Sequence, residues 1–324
     1  MGQKINPTSF RLGVNQDWKS TWSSFGSESN LFFSSNFSKD IQIRKLIQGI
    51  INNDIGLISN LLIHRGCNEL KYNLQHLDYN ASKIITISLD LYLFQKELSH
   101  LYIEDSGNIS RNTTYDVPKL ISILGKPQDT RSESEVLFIH EYKSILENIL
   151  SHKIRVAVKN KIEPSIPIRN VRAKLRVIFE EGSTYVEKES HFLNFCFLDL
   201  NTDLITSWIA YEVQKRKGLR DIVKKVEKAF LLVKSQALRD TDLYRYAPDG
   251  VRICCSGRFL MMENEKRRNK MARKMTFQKG VISLTTIDNL VHYSSSTAFT
   301  TDGTTGIKLW ISYSSSKNRI KLGI

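Results

Sequence analysis

The chain has 324 residues and a formal net charge of +14, with 41% hydrophobic and 25% charged residues. That length suits about two domains, each large enough to bury its own core. No apolar run reaches the roughly 18 residues of a membrane span, and four cysteines without a CxxC spacing exclude a disulfide framework and fit a reducing compartment.

The excess charge is unevenly placed. Residues 40–200 hold 20 Lys+Arg against 20 Asp+Glu, whereas residues 201–280 hold 19 against 9, a net of +10. Concentration in one quarter of the chain is the footprint of a surface that binds a polyanion. Composition adds that Ile occurs 34 times and Ala only 9, the bias of an A/T-rich genome such as that of an organelle. The start, Met1 to Gly13, "MGQKINPTSFRLG", has neither the apolar stretch of a secretory signal nor the Arg-rich amphipathic pattern of a transit peptide. Asn6 stands where a myristoylation motif takes Ser or Thr. A chain made inside an organelle needs no targeting segment.

Residues 1–39 read as an irregular arm without helix or strand period. Lys4 and Arg11 make it basic, and Trp18, Trp22, Phe25, Phe32, Phe33 and Phe37 stand among Ser, Asn and Gly. These aromatics either dock on a partner or pack on the chain's own domain. From Asp40, read as an N-cap, Ile43, Leu46, Ile47, Ile50 and Ile51 recur at helical spacing. "LISNLLIHR" and "NELKYNLQHL" then read as two short strands joined by Gly66-Cys67.

Between about 80 and 190, "SKIITISLDLYLF", "KIRVAVKN" and "VRAKLRVIFEE" read as strands and "SEVLFIHEYKSILENILSH" as a helix, separated by polar loops. "HFLNFCFLDL" reads as a buried strand. Asn201 or Thr202 can cap a helix over "LITSWIAYEVQKRKG", which Gly218 separates from a second helix, "LRDIVKKVEKAFLLVKSQAL". There Ile222, Val223, Val226, Phe230 and Val233 form an apolar stripe, with Arg220, Lys224, Lys225 and Lys228 off it. The last quarter reads as a strand over "DGVRICCSGR", a basic run with six cations between Lys266 and Lys274, and strands over "KGVISLTTI", "LVHYSSSTAFTT" and "GIKLWISY". The final two are linked by the turn Asp302-Gly303.

Nothing here composes a catalytic centre. His64 and Cys67 form an HxxC pair without a second metal-ligand pair at finger spacing. Cys254 and Cys255 fall on opposite faces of one strand, one of them in the core. P-loop, GxSxG and HExxH patterns are absent. The expectation is a binding protein, not an enzyme, with no cofactor and no metal.

The opening "MGQKINP", "FRLG" and the following "STW", the strand "GVRICCSGR" and the closing "HYSSSTAFTTDGTTGIKLWI" closely resemble small ribosomal subunit protein three, the S-three family. The likeness covers about residues 1–78 and 190–313. At its end Tyr293, Thr300, Thr301, Gly303, Gly306, Lys308, Trp310 and Ile311 keep the family spacing.

The resemblance implies an α+β fold: a degenerate type II KH domain with a large insertion, followed by a C-terminal α/β domain. Its parts would be an arm at 1–39, a KH-like domain at 40–200 with the insertion at about 80–190, and the ribosomal α/β domain at 201–324. The KH elements would be the helix at 40–54, the strands at 57–76 and the strand near 192–198. A KH domain clamps nucleic acid with a GxxG loop between helices, and none follows His76. The only GxxG, Gly303 to Gly306, lies in the C-terminal hairpin.

The implied partners are small-subunit ribosomal RNA, messenger RNA at the entrance to the decoding site, and neighbouring ribosomal proteins of the small-subunit head, with no membrane. The residues expected on ribosomal RNA are Lys4, Arg11, Trp18, Trp22, Lys215, Arg216, Lys217, Arg252, Arg258, Lys266, Arg267, Arg268, Lys270, Arg273 and Lys274. Those expected at the messenger RNA entrance are Arg220, Lys224, Lys225 and Lys228. Asp221 stands where the family carries a second arginine and is expected to pair with Arg220 or Lys224, with Lys225 and Lys228 making up the loss. The ribosome is expected to be that of a mitochondrion rather than a chloroplast. The alternative is a free basic factor acting on messenger or transfer RNA outside the ribosome.

Overall fold

The computed structural model describes residues 5–22, 29–51, 56–59, 61–67, 83–94, 117–126, 130–164, 166–181, 184–239, 246–262 and 271–315. In chain order its elements are α1 (Pro7–Arg11), β1 (Ser20–Thr21), α2 (Ser29–Ile50), β2 (Gly56–Ile58), β3 (Leu62–Cys67), β4 (Lys83–Leu93), α3 (Val117–Leu124), α4 (Glu133–Lys161) and β5 (Val171–Phe179). There follow α5 (Tyr185–Leu198), α6 (Thr202–Gln214), α7 (Leu219–Arg239), β6 (Tyr246–Gly257), β7 (Arg273–Gly280), β8 (Leu290–Thr300) and β9 (Gly303–Ser315). The fold is mixed α+β, as expected. Its contacts divide into two compact units, Trp18–Ser183 and Met1–Asp17 with Thr184–Ile324.

In the unit Trp18–Ser183, β4 is the spine of the sheet. β2 and β3 pair antiparallel along one edge of it, β5 pairs parallel along the other, and β1 runs parallel to β3. Alternate residues of β4, Ile85, Ile87, Leu89 and Leu91, point into the core, the period-2 pattern of a half-buried strand. Ile43 and Ile47 of α2 and a stripe along α4 close that core. β4 and β5 thus come from within the stretch expected as an insertion. "NELKYNLQHL" lies outside the described residues.

Three expectations for this unit and its border are corrected. The segment "KIRVAVKN" is helical, the last turns of α4. Tyr142, Leu146, Leu150, Ile154 and Val158 are buried at steps of four along that helix, so one stripe runs through the β-branched residues and tertiary burial overrides their strand preference. "HFLNFCFLDL" belongs to α5: Thr184 and Glu187 form a capping box, and Phe192, Leu193, Cys196 and Phe197 are buried at helical spacing. The arm is not wholly irregular, because α2 already begins at Ser29. Asp40, expected as its cap, sits mid-helix at 3% exposure, where it accepts from Trp22 Nε1 at 3.2 Å and Arg65 Nε at 2.8 Å.

The second unit is built on the antiparallel sheet β7-β6-β9-β8. Ile253, Ile307, Leu309 and Ile311 face Ile205 and Ile209 of α6 and Val226 and Phe230 of α7, all of them buried. The stripe read on α7 is the buried one, and the turn at Asp302 joins β8 to β9. Of the two cysteines, Cys255 is in the core and Cys254 lies on the other face, but both are buried.

The strand expected over "KGVISLTTI" is displaced. β7 ends at Gly280, whose φ of 76° breaks the extended chain and whose Cα region lies so close to Asp249 that a Cβ would stand 2.1 Å from its carbonyl oxygen. The residues beyond are a loop whose carbonyls are taken by the N-terminal segment. Arg11 is fully buried and donates from Nε to Asn289 O at 2.7 Å and from Nη2 to Ser283, Leu284 and Thr286 O at 3.2, 3.1 and 2.7 Å. Asn15 Nδ2 donates to Ile287 O, and Gln16 Nε2 to Val291 O at 2.6 Å.

Candidate nucleic-acid interface

The cations of α7 owe their placement to the helix itself. Burial of Ile222, Val223, Val226, Ala229, Phe230 and Val233 turns Arg220, Lys224 and Lys228 to solvent. The first backbone N–H groups of the helix are not open to a phosphate: Leu219 N and Arg220 N donate to the carbonyls of Leu260 and Met261 at 2.9 and 3.2 Å. What α7 offers is therefore side chains. They border a shallow groove of about 600 Å³ lined by Arg220, Asp221, Lys224, Glu227, Met262 and Phe277.

Within the groove, Lys224 Nζ lies 3.8 Å from Asp221 Oδ1, both side chains more than half exposed. Asp221 thus pairs with Lys224, one of its two expected partners. Lys225 is placed differently from the expectation. It turns inward, with Nζ 2.5 Å from Glu189 Oε2, so it holds α7 to α5 and does not replace a cation lost from the groove. Burial raises the pKa of Glu189, while Lys225 and Lys215 act to lower it.

The cluster before α7 divides likewise. Lys217 binds Glu212 and lies 3.5 Å from Glu189 Oε1. Those carboxylates are 1% and 6% exposed, so Lys217 is part of the packing of α5 on α6. Lys215 and Arg216 are exposed: the ammonium of Lys215 stands 3.9 Å from the centre of the Tyr211 ring, and Arg216, at φ 60°, donates to Thr301 Oγ1. Arg258 is exposed and donates to Asp302 O at 3.3 Å. Arg273 and Lys274 are exposed on β7. The guanidinium of Arg252 stands over the ring of Trp310 at 5.4 Å.

The remaining expected residues fare unequally. Arg11 is a core residue and offers no free donor surface, which corrects its place among the RNA contacts. Trp22 packs edge-on against Phe33 at 5.1 Å and donates to Asp40, whereas Trp18 is 60% exposed. Lys4, Lys266, Arg267, Arg268 and Lys270 lie outside the described residues. In the unit Trp18–Ser183 several cations are spent on carboxylates: Arg65 on Asp40 and Glu163, Arg131 on Glu181, Arg176 on Asp90. Among the described residues no group of His, Cys, Asp or Glu is placed to hold a metal ion, and no helix is long and apolar enough to cross a membrane.

No family model matches the chain. Over 311 residues, 96% of its length and 81% of the relative, the chain is 23% identical to small ribosomal subunit protein uS3 of Chlorobium luteolum. The chain is thus similar to uS3 proteins over nearly its whole length. A second uS3, from a Sulfurihydrogenibium species, is 48% identical over 48 residues, 15% of this chain and 19% of that protein. The uS3m protein of Prototheca wickerhamii is 23% identical over 220 residues, 67% of this chain and 39% of that protein. Similarity to uS3 proteins agrees with a site that has exposed cations on a helix and a sheet.

Missed from the sequence was α3, the helix that precedes α4. Two helices flanked by β4 and β5 form one unit here, and their junction begins Gly125-Lys126-Pro127-Gln128. In sequence this stretch has the first glycine of a GxxG and Gln128 in place of the second. The signal lay in the pattern of a helix, a Gly-Lys and a second helix opened by Ser132, whose capping box with Glu135 marks the start of α4.

Proposed function

We propose that the chain is a structural, non-enzymatic constituent of the small ribosomal subunit that binds ribosomal RNA in the head and lines the messenger RNA entrance. The observation that carries this reading is similarity to uS3 over nearly the whole chain, joined to the exposed cations of α7 and β7 in the unit that holds most of the net charge. Its mechanism is binding: Lys and Arg displace counterions from RNA and fix position without reading sequence.

The finer assignments rest on further observations. An organelle ribosome, of a mitochondrion rather than a chloroplast, is supported by the likeness to the uS3m of Prototheca wickerhamii and by the Ile-rich, Ala-poor composition. A type II KH scaffold running from α2 to β5 is supported by its helix, strands, helix pair and closing strand. Its ion-paired cations, and the lack of a second glycine after Gly125 where a GxxG would carry one, favour contacts with neighbouring ribosomal proteins over RNA. Arg220, Lys224 and Lys228 are the residues assigned to the messenger RNA entrance.

Sedimentation of the chain from its native cells tests this reading. Nearly all of it should travel with the small subunit and remain there when messenger RNA is digested. A chain found mainly at the top of the gradient, or in small particles with messenger or transfer RNA, would overturn it in favour of a free RNA-binding factor.

A further inference from the structure

Among the described residues, α6 and α7 pack against one face of the sheet β7-β6-β9-β8. On its other face the register aligns Gln278, Arg252, Trp310 and Tyr293 in one cross-strand row, one residue from each strand. Lys308 projects from the next row and Lys274 from the one beyond. All three rows are free of Asp and Glu. Trp310 and Tyr293 are half-buried with ring centres 5.3 Å apart, and Lys274, Gln278 and Lys308 are exposed. Arg252 lies over Trp310, and its Nε is closed off from solvent without a hydrogen-bond partner.

We propose that this open sheet face is a platform for unpaired RNA, on which bases stack against Trp310 and Tyr293 while Lys308, Lys274 and Arg252 hold the flanking phosphates. It rests on the reading of the chain as an RNA-binding ribosomal protein and assigns a chemistry to a surface separate from α7. The partner follows from charge and shape. A face with cations, aromatic rings and no carboxylate complements a polyanion that has π-faces of its own. Bases within an A-form duplex are already stacked, and its deep major groove is closed to side chains on a flat sheet, so the fit is to a single-stranded loop or bulge. Four strands at about 4.8 Å spacing present the row over the span of two or three bases.

The test uses the full chain with two probes, a 12-nucleotide single-stranded RNA of mixed sequence and the same strand in a duplex, followed by anisotropy across a salt series. Trp310→Ala and Tyr293→Ala should each weaken single-strand binding about tenfold or more, leave duplex binding within twofold and leave the salt slope unchanged, because neither ring neutralises a phosphate. Trp310→Phe should restore most of the loss. Lys308→Glu, an exposed change that spares the core, should weaken binding and flatten the salt slope by about one contact or more. Unchanged single-strand affinity in both aromatic variants, or equal losses for single strand and duplex, would overturn the platform. So would cross-links from this face to a protein in place of RNA. Those results leave the ribosomal reading standing, whereas a wild-type chain that binds neither probe and does not sediment with the small subunit sinks the ribosomal reading itself.

Discussion

Lys225 and Glu189 form a contact between α7 and α5 in which the ammonium lies 2.5 Å from a carboxylate that is 6% exposed. A cation that looks like one more member of a basic helix face is committed to a buried carboxylate. Lys217 stands on the other oxygen of the same carboxylate at 3.5 Å. Breaking such a contact leaves a buried charge, which costs more than the pair itself contributes.

Lys225→Ala should therefore destabilise the chain by about 1–3 kcal/mol, while Lys228→Ala, on the exposed side of the same helix, should change stability by under about 0.5 kcal/mol. Glu189→Gln combined with Lys225→Ala should recover much of the loss. Chemical denaturation measures all three. Equal effects at positions 225 and 228 would place Lys225 among the free surface cations.

Arg11→Ala should be among the most damaging single changes in the N-terminal segment, at about 3 kcal/mol or more, because several loop carbonyls lose a charged donor together. Arg11→Lys should recover little, since one ammonium cannot reproduce the planar fork that meets Asn289 and Thr286 at once. Thermal melts and proteolysis of the 281–289 loop report both effects.

His292 supplies a pH dependence. Burial against Tyr313 lowers its pKa below the ordinary 6.5, with Asp203 acting in the opposite sense. The unfolded chain then binds the proton more readily than the folded one between those two values, so stability is full above about pH 6.5 and declines as pH falls below it, by at most about 1.4 kcal/mol per pH unit. His292→Phe should flatten this part of the pH–stability curve. A slope that survives the substitution would have to come from other groups.

At the groove, Asp221→Asn should release Lys224 and tighten binding of single-stranded RNA by about two- to fivefold at low salt, with the gain vanishing as salt is raised. Arg220→Ala with Lys224→Ala should leave the small subunit assembled but slow translation through structured messages. Loss of assembly in that double variant would instead make these residues part of the fixed RNA framework, against the entrance role proposed for them.

Local patterning determined the elements whose periodicity belongs to a single face. α6 and α7, the strands β4, β5, β8 and β9, and the uneven placement of charge all follow from residues close together in the chain. The S-three likeness was equally legible, because Tyr293, Lys308 and Trp310 lie in one hairpin. Tertiary structure decided what proximity in sequence does not carry. "KIRVAVKN" and "HFLNFCFLDL" are rich in strand-forming residues, and only the cores they enter make them helical. Arg11 and Lys225 carry the same charge as Arg220 and Lys228, yet one pair is held by carbonyls and a buried carboxylate distant in sequence while the other faces water. The row Arg252, Trp310, Tyr293 likewise exists only because three strands align in register. A cation's role is set by which acceptor reaches it first, and long-range packing alone brings those acceptors within hydrogen-bond distance.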